Sequence, residues 1–226
     1  MKKENIEIIP TILVDNFKQV KERIKKVEDY VSWIQLDIMD GVFVDNKTWP
    51  YTEGSINDLK EISTCGRPAV GWKTRTKLEA HLMVEKPKEV IDDWLEVVDR
   101  MIIHYETSDD IKEIIKRVHE RKKEIGLAIN PETLIDVLKP FLGDLDLVLL
   151  MTVNPGQGGQ EFEYEVLEKI KALRKLWPDG NIEVDGGINP ETAQESIKAG
   201  ANLICAGTYI FKSKDIKQAI EGLRGY

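Results

Sequence analysis

Eight short apolar segments recur along the chain, and most are followed by a turn and a segment with helical periodicity. Most of their starts lie 21 to 24 residues apart, which leaves room for one strand, one helix and two short loops. Such an alternation is typical of a parallel sheet covered by helices. The predicted strands are Ile6–Leu13, Trp33–Ile38, Leu78–Val84, Met101–Tyr105, Ile125–Ile129, Leu147–Thr152, Ile182–Val184 and Leu203–Ala206.

The number of these strands favours a closed barrel. Eight strand-helix units predict an α/β fold of the (β/α)8 TIM-barrel class, and 226 residues fit a single domain spanning positions 1–226. An open, doubly wound sheet is the alternative. The barrel is favoured partly because no G-x-G-x-x-G motif follows the first strand. Asp15 and Ser108 stand where helix N-caps are expected.

Two connections are longer than the others. The one after the second strand contains a polar and aromatic insert, Trp49–Lys73, and the one after the sixth contains a glycine-rich loop, Asn154–Gln160. In parallel barrels extra length usually lies in loops at the C-terminal face, where ligands bind. We expect functional residues in these connections. For the insert, surface elaboration is the favoured interpretation and a lid is the alternative.

Composition limits the partners and the compartment. A net charge of −8 argues against a general surface for nucleic acid or an anionic membrane, because both would be repelled at long range. It does not exclude an anionic small molecule, which backbone N–H groups can bind locally. The chain has two cysteines, Cys65 and Cys205, and shows neither an apolar signal segment nor about 20 consecutive apolar residues. These features predict a cytoplasmic protein with Cys205 as a buried, inert thiol.

Two acidic residues fall within or at the end of apolar strands. In the second strand Gln35, Asp37 and Met39 share one face, because side chains alternate along a strand. A buried carboxylate is costly unless it is paired, hydrogen-bonded or bound to a metal. Asp37 and Asp185 are both in this position. For Asp185, which precedes Gly186 and Gly187, a simple turn with an N-capping carboxylate is the alternative interpretation.

A histidine and three methionines also lie at strand ends. His81 and Met83 share one face of the third strand, Met151 ends the sixth and Met39 ends the second. Taken alone, His81 would be interpreted as a hydrogen-bonded core residue and the methionines as core filler. Their coincidence with the two acids favours a site at the C-terminal end of the barrel.

Three glycine-rich elements follow strands six, seven and eight: Gly156-Gln157-Gly158-Gly159, Gly186-Gly187 and Gly207-Thr208. Glycine tolerates φ > 0, so such segments can turn several backbone N–H groups toward an anion. Any one of them could be an ordinary flexible loop. Together they match the phosphate site common in these barrels, so we predict phosphate binding there.

Four blocks of the chain carry its most specific motifs: Leu36–Val44, His81–Pro87, Val153–Gln160 and Val184–Ile188. In these blocks the chain resembles the ribulose-phosphate 3-epimerase family, and the similarity extends from Pro10 to Phe211. The resemblance implies an isomerase of carbohydrate metabolism, in the pentose phosphate pathway, that interconverts ribulose 5-phosphate and xylulose 5-phosphate at carbon 3. It implies that Asp37 and Asp185 act as an acid–base pair on opposite faces of the sugar.

The resemblance also implies a metal site and a substrate pocket. One divalent ion (zinc, iron or manganese) would be held by Asp37, His81 and Asp185 and would stabilise the enediolate formed on proton loss. The methionines would form an apolar wall beside it. The family often forms dimers or larger rings, so a homo-oligomer is compatible with the resemblance. The implied substrate-binding residues are Thr11, Met39, Met83, Met151, Gly156, Gln157, Gly158, Gly159, Gly186, Gly187, Gly207 and Thr208.

The chain departs from the family pattern in ways that keep several functions open. Gln35 replaces a metal-binding histidine of the family, and its amide oxygen suits manganese or magnesium better than zinc or iron. Thr11 stands for the usual serine, Gln157 replaces an aromatic residue, and the segment between Asp45 and Lys77 is longer than usual.

One hypothesis is a working epimerase with three protein ligands and Gln35 as a weaker fourth. A second is a 3-epimerase of a six-carbon ketose phosphate, since loops set substrate choice on this scaffold. A third is a metal-deficient, non-catalytic barrel that binds sugar phosphates. A decarboxylase or aldol-type enzyme is disfavoured, because Asp37-Ile38-Met39 lacks the lysine of their Asp-x-Lys pair.

Overall fold

Eight parallel strands close into a barrel in the computed structural model, which describes residues 6–64, 67–68, 76–108 and 110–225. Each strand pairs with its neighbours in sequence, and the last pairs with the first. The predicted barrel is confirmed, the open sheet is wrong, and every predicted strand boundary lies within one residue of the observed one. The strands are β1 (Glu7–Ile12), β2 (Trp33–Met39), β3 (Lys77–Met83), β4 (Arg100–His104), β5 (Glu124–Ile129), β6 (Leu147–Met151), β7 (Asn181–Asp185) and β8 (Leu203–Ala206).

Amphipathic helices cover the outside of the barrel and bury their apolar faces against the strands. In the helix Ile111–Glu120, for example, the apolar side chains recur at helical spacing and are the buried ones. Two connections contain 3-10 turns in place of a predicted helix, Ile56–Glu61 after β2 and Ile135–Leu138 after β5. The α-helices of the described residues are α1 (Phe17–Val27), α2 (Pro87–Leu95), α3 (Ile111–Glu120), α4 (Val166–Leu176), α5 (Pro190–Ala199), α6 (Thr208–Lys212) and α7 (Ile216–Arg224).

Both predicted N-caps are wrong. Asn16, not Asp15, precedes α1, and its side chain accepts a hydrogen bond from the backbone N–H of Gln19 at 3.0 Å. Asp110, not Ser108, precedes α3, because the backbone N–H of Ser108 instead closes a short 3-10 turn. In both cases two polar residues near the helix start compete for the cap.

Three residues of the insert after β2 belong to the core, whereas most of its described residues are exposed or half-buried. Trp49 is 1% exposed and packs edge-on against Trp94 of α2, with ring centroids 6.0 Å apart. Leu59 and Ile62 are buried as well. Residues 65, 66 and 69–73, with Cys65 among them, lie outside the described residues.

The strand register brings the predicted site residues side by side. Asp37 of β2 pairs with His81 of β3, and Met39 pairs with Met83 two residues further on. On the other side of the barrel Met151 of β6 pairs with Asp185 of β7. Among the described residues no helix is both long and apolar enough to cross a bilayer.

Candidate active site

A cavity of about 830 Å³ opens at the C-terminal ends of the strands. The acidic, histidine, methionine, threonine and glycine residues predicted from sequence all contribute to its wall, whereas Gln35 is fully buried behind it. Arg23 and Lys212 also line the cavity. Sequence reasoning missed both, because they lie in helices and not at strand ends. The predicted residues on the wall are Thr11, Asp37, Met39, His81, Met83, Met151, Gly156, Gln157, Gly158, Gly159, Asp185, Gly186, Gly187, Gly207 and Thr208.

Asp37 and Asp185 face each other across the amide of Gln35. The amide nitrogen of Gln35 donates hydrogen bonds to Asp37 Oδ1 at 2.8 Å and to Asp185 Oδ2 at 2.7 Å. Burial, together with the negative charge of Asp37, raises the pKa of Asp185 to about 7. The two acids therefore form one coupled pair, and at neutral pH Asp185 is poised between its charged and neutral forms.

His81 completes a set of three donors. Its ring is fully buried, and its Nδ1 lies 3.3 Å from Asp37 Oδ1 and 3.9 Å from Asp185 Oδ2. One donor atom from each of the three residues lies within 4.8 Å of the others. Two carboxylates and an imidazole at this spacing can hold a divalent cation. Gln35 presents its nitrogen to the acids, and its oxygen faces the thiol of Cys205, with 3.5 Å between Sγ and Oε1.

Two further polar residues, His104 and Glu106, lie behind His81. The Nε2 atoms of His81 and His104 are 2.8 Å apart, and His104 Nδ1 is 3.3 Å from Glu106 Oε2. Burial lowers the pKa of His104 to about 4. Burial opposes ionisation of Glu106, but hydrogen bonds from His104, Asn130 and Thr133 outweigh it and lower the pKa of Glu106 to about 2. The signal that could have found His104 is its place at the end of β4.

An apolar wall lies beside the acids. Met39 and Met83 pack with Val44, Leu13 and Phe43 in one cluster, and both methionines are 2% exposed. Met151, across the barrel, packs with Val153 in the neighbouring cluster. Thioether side chains are polarisable and adaptable and have no hydrogen-bond donor, so they can cover a sugar without protonating it.

The glycine elements converge at one end of the cavity. Gly156, Gly159, Gly186 and Gly187 all have positive φ, which side chains other than glycine rarely adopt. At Gly187 (φ +63°) an added Cβ would lie 2.6 Å from the backbone nitrogen of Phe162, so this position has no room for a larger residue. Backbone N–H groups of such loops can bind an anion with little positive side-chain charge.

A second ionic layer lies deeper in the barrel. Arg100 donates to Glu79 Oε2 at 2.7 Å and lies 3.9 Å from Glu183 Oε2. The buried thiol of Cys205 donates to Glu183 at 3.1 Å, which agrees with its expected burial. Glu79, Glu183 and Cys205 also form a group of three possible metal ligands, but the guanidinium of Arg100 already supplies positive charge to it.

The sequence matches known sugar-phosphate enzymes over nearly its whole length. Residues 7–211 match the profile of the Ribulose-phosphate 3 epimerase family. The ribulose-phosphate 3-epimerase of Bacillus subtilis is 38% identical over 227 residues, covering 97% of this chain and 99% of that protein. The enzyme of the same name from Schizosaccharomyces pombe is 36% identical over 220 residues, covering 96% and 92%.

A solved structure shows the same architecture at low identity. The 3-hexulose-6-phosphate synthase of Salmonella typhimurium superposes with a TM-score of 0.69 at 15% identity, over 96% of each chain. That likeness supports the barrel fold alone, whereas the family profile and the two curated relatives extend over nearly the whole sequence. The chain therefore belongs to the ribulose-phosphate 3-epimerase family of isomerases that act on carbohydrate phosphates.

Proposed function

We propose that this chain epimerises ribulose 5-phosphate and xylulose 5-phosphate reversibly at carbon 3. The observation that carries the proposal is the pair of Asp37 and Asp185, both held by one amide in a cavity that the glycine elements also line. Inversion at a carbon next to a carbonyl needs one group to remove a proton and another to return it on the opposite face. Two facing carboxylates can do both.

The protonation of the pair suits this chemistry. With its pKa near 7, Asp185 can give a proton to the substrate in one direction and accept one in the other. Exchange of roles requires one carboxyl to be protonated while the other is not. The short distance between the two groups favours such a state, because two adjacent negative charges repel each other in a buried site.

The donor set of Asp37, His81 and Asp185 fits a divalent cation. Their donor atoms converge, and burial together with the charge of Asp37 raises the pKa of Asp185, so a cation would stabilise the negative charge that this site disfavours. A bound divalent ion would act as a Lewis acid and stabilise negative charge on the substrate oxygens. The buried position of His81 and the hydrogen bonds from Gln35 hold the ligands in place.

The other residues of the cavity wall would bind the phosphate and the carbon chain of the substrate. The backbone of the three glycine elements would bind the phosphate, and Met39, Met83 and Met151 would cover the reacting carbons and exclude water. Thr11 adds a hydroxyl at the cavity wall. A homo-oligomer and a cytoplasmic location stay predictions of the sequence.

Incubation of the purified protein with ribulose 5-phosphate and added manganese, zinc or iron tests the proposal, with NMR detection of xylulose 5-phosphate. Absence of product with every metal would reject it. A parallel panel of six-carbon ketose phosphates distinguishes a different substrate, because a higher kcat/KM for one of them would reassign the enzyme. Stoichiometric metal in protein purified without chelators would rule out the metal-deficient barrel.

The change Gln35→His is expected to tighten metal binding by about tenfold or more, which corresponds to about 1.4 kcal/mol. Imidazole is a better ligand for zinc and iron than an amide, and Gln35 already touches two of the other ligands. The turnover of the Gln35→His variant should rise together with its metal affinity. Competition against a fluorescent chelator measures the affinity, and Gln35→Leu serves as a control that offers no donor. An unchanged affinity in Gln35→His would mean that this side chain does not face the metal position.

A further inference from the structure

A line of three side chains runs from the metal ligands into the barrel wall. The Nδ1 atom of His81 faces Asp37, and the opposite ring nitrogen, Nε2, lies 2.8 Å from Nε2 of His104. The rings are stacked with their centroids 5.0 Å apart. The other nitrogen of His104, Nδ1, lies 3.3 Å from Glu106 Oε2. Neither histidine is exposed to solvent, and His81 Nδ1 also lies 3.9 Å from Asp185 Oδ2.

The direction of the hydrogen bonds follows from the far end of this line. Glu106 Oε1 accepts hydrogen bonds from the backbone N–H of Asn130 at 2.9 Å and from the hydroxyl of Thr133 at 2.5 Å. These donors hold Glu106 in its ionised form, in which a carboxylate only accepts. The proton between Glu106 and His104 therefore sits on His104 Nδ1.

The same reasoning places the next proton. A neutral imidazole with hydrogen on Nδ1 has its lone pair on Nε2, so His104 Nε2 accepts. Two nitrogens 2.8 Å apart must share one proton, and here it belongs to His81 Nε2. In a neutral ring the lone pair of His81 is then on Nδ1, which is the atom that faces Asp37 and Asp185 and would face a cation bound between them.

We propose that His104 and Glu106 are positioning residues that fix His81 in the tautomer able to bind the metal ion. The proposal rests on the metal site of the proposed function and adds to it the two groups that orient one ligand. Without a fixed acceptor behind it, His81 could place its proton on Nδ1 and lose its capacity to bind a cation. Supporting groups of this kind typically change metal affinity by about 10- to 100-fold.

NMR of metal-free protein labelled with ¹⁵N-histidine tests the tautomer directly. The chain has three histidines, and the third, His119, is on the surface beside Asp146, so its signals can be assigned from the variant His119→Gln. We expect His81 protonated on Nε2 and His104 protonated on Nδ1. A proton on Nδ1 of His81 in the wild-type protein would overturn the proposal without any variant.

The variant Glu106→Gln tests whether Glu106 fixes the tautomer of His81. A glutamine can donate to His104 Nδ1, which reverses both hydrogen bonds and moves the proton of His81 to Nδ1. We expect the dissociation constant for Mn²⁺, measured by electron paramagnetic resonance, to rise by about 10- to 100-fold. Glu106→Asp, which keeps a carboxylate, should restore the wild-type tautomer at His81. An unchanged tautomer and an unchanged Mn²⁺ affinity in a folded Glu106→Gln protein would refute the proposal.

Neither readout uses a substrate. Loss of epimerase activity with the expected tautomer and the expected change in Mn²⁺ affinity would reject the proposed reaction and support the role of His104 and Glu106. The converse result, an active epimerase with His81 protonated on Nδ1, would reject the inference and leave the reaction intact.

Discussion

Turnover with ribulose 5-phosphate is expected to fall by about 10²- to 10⁴-fold when Asp37 or Asp185 is replaced by asparagine, which is the usual contribution of a general acid or base. Asparagine keeps the size of the side chain and can still pair with the amide of Gln35, so the cavity should keep its shape. The loss would therefore reflect proton transfer and weaker binding of the cation, and not collapse of the site, so the assay is run with saturating Mn²⁺.

Hydrogen exchange separates the two acids. In D₂O, each variant should still exchange the carbon-3 hydrogen of one epimer, because one carboxylate remains on one face, while conversion to the other epimer is lost. Asp37→Asn and Asp185→Asn should retain exchange with opposite epimers. If either variant epimerises at the wild-type rate, the two-carboxylate mechanism fails. Asp179→Asn, an exposed acid far from the cavity, is the control.

The variant Asp185→Asn is expected to be more stable than the wild-type protein at alkaline pH when no metal is bound, by about 1–3 kcal/mol. The pKa of Asp185 is about 7 in the folded state because of burial and the charge of Asp37, against an ordinary value of 3.8. Between these two values the folded state holds a proton that the unfolded state has released. The stability of the wild-type protein therefore falls as pH rises through this window, and an amide at position 185 does not titrate.

Urea unfolding with a chelator present, at pH 5 and at pH 8.5, measures this effect. The difference in the free energy of unfolding between Asp185→Asn and wild type should be larger at pH 8.5. Saturating Mn²⁺ should raise the stability of the wild-type protein and reduce or reverse the difference, because the ion binds only the folded state. A difference that does not vary with pH would show that neither burial nor the charge of Asp37 raises the pKa of Asp185 in the folded chain.

Much of the barrel and the cavity could be predicted because both depend on short-range signals. Strand-helix alternation fixed the architecture, and the rule that chemistry lies at strand ends selected Asp37, His81 and Asp185. These residues are distant in sequence, but parallel pairing necessarily places the ends of neighbouring strands together. The same rule could have selected His104, which ends β4 in the same way.

Contacts that depend on side-chain direction could not be predicted. Alternation indicated that Gln35 faces the same side as Asp37, but not that its amide nitrogen binds both acids. The buried part of the insert could not be predicted, because the contact of Trp49 with Trp94 joins segments 45 residues apart and nothing local indicates it. The caps of α1 and α3 failed for a smaller reason, since adjacent polar residues satisfy the same sequence rule.

The pairing of β2 with β3 covers seven residues, from Trp33 opposite Lys77 to Met39 opposite Met83, and is the longest ladder among the described strands. A slip of one residue would turn His81 away from Asp37, and a slip of two would set Asp37 beside a different interior side chain. The candidate metal ligands thus lie in the strands of the barrel, whereas the glycine elements lie in the segments that follow strands. Exchanging the loop after β6 for that of a relative should alter substrate choice and leave the affinity for the cation unchanged. This scaffold is therefore a practical host for loop grafting.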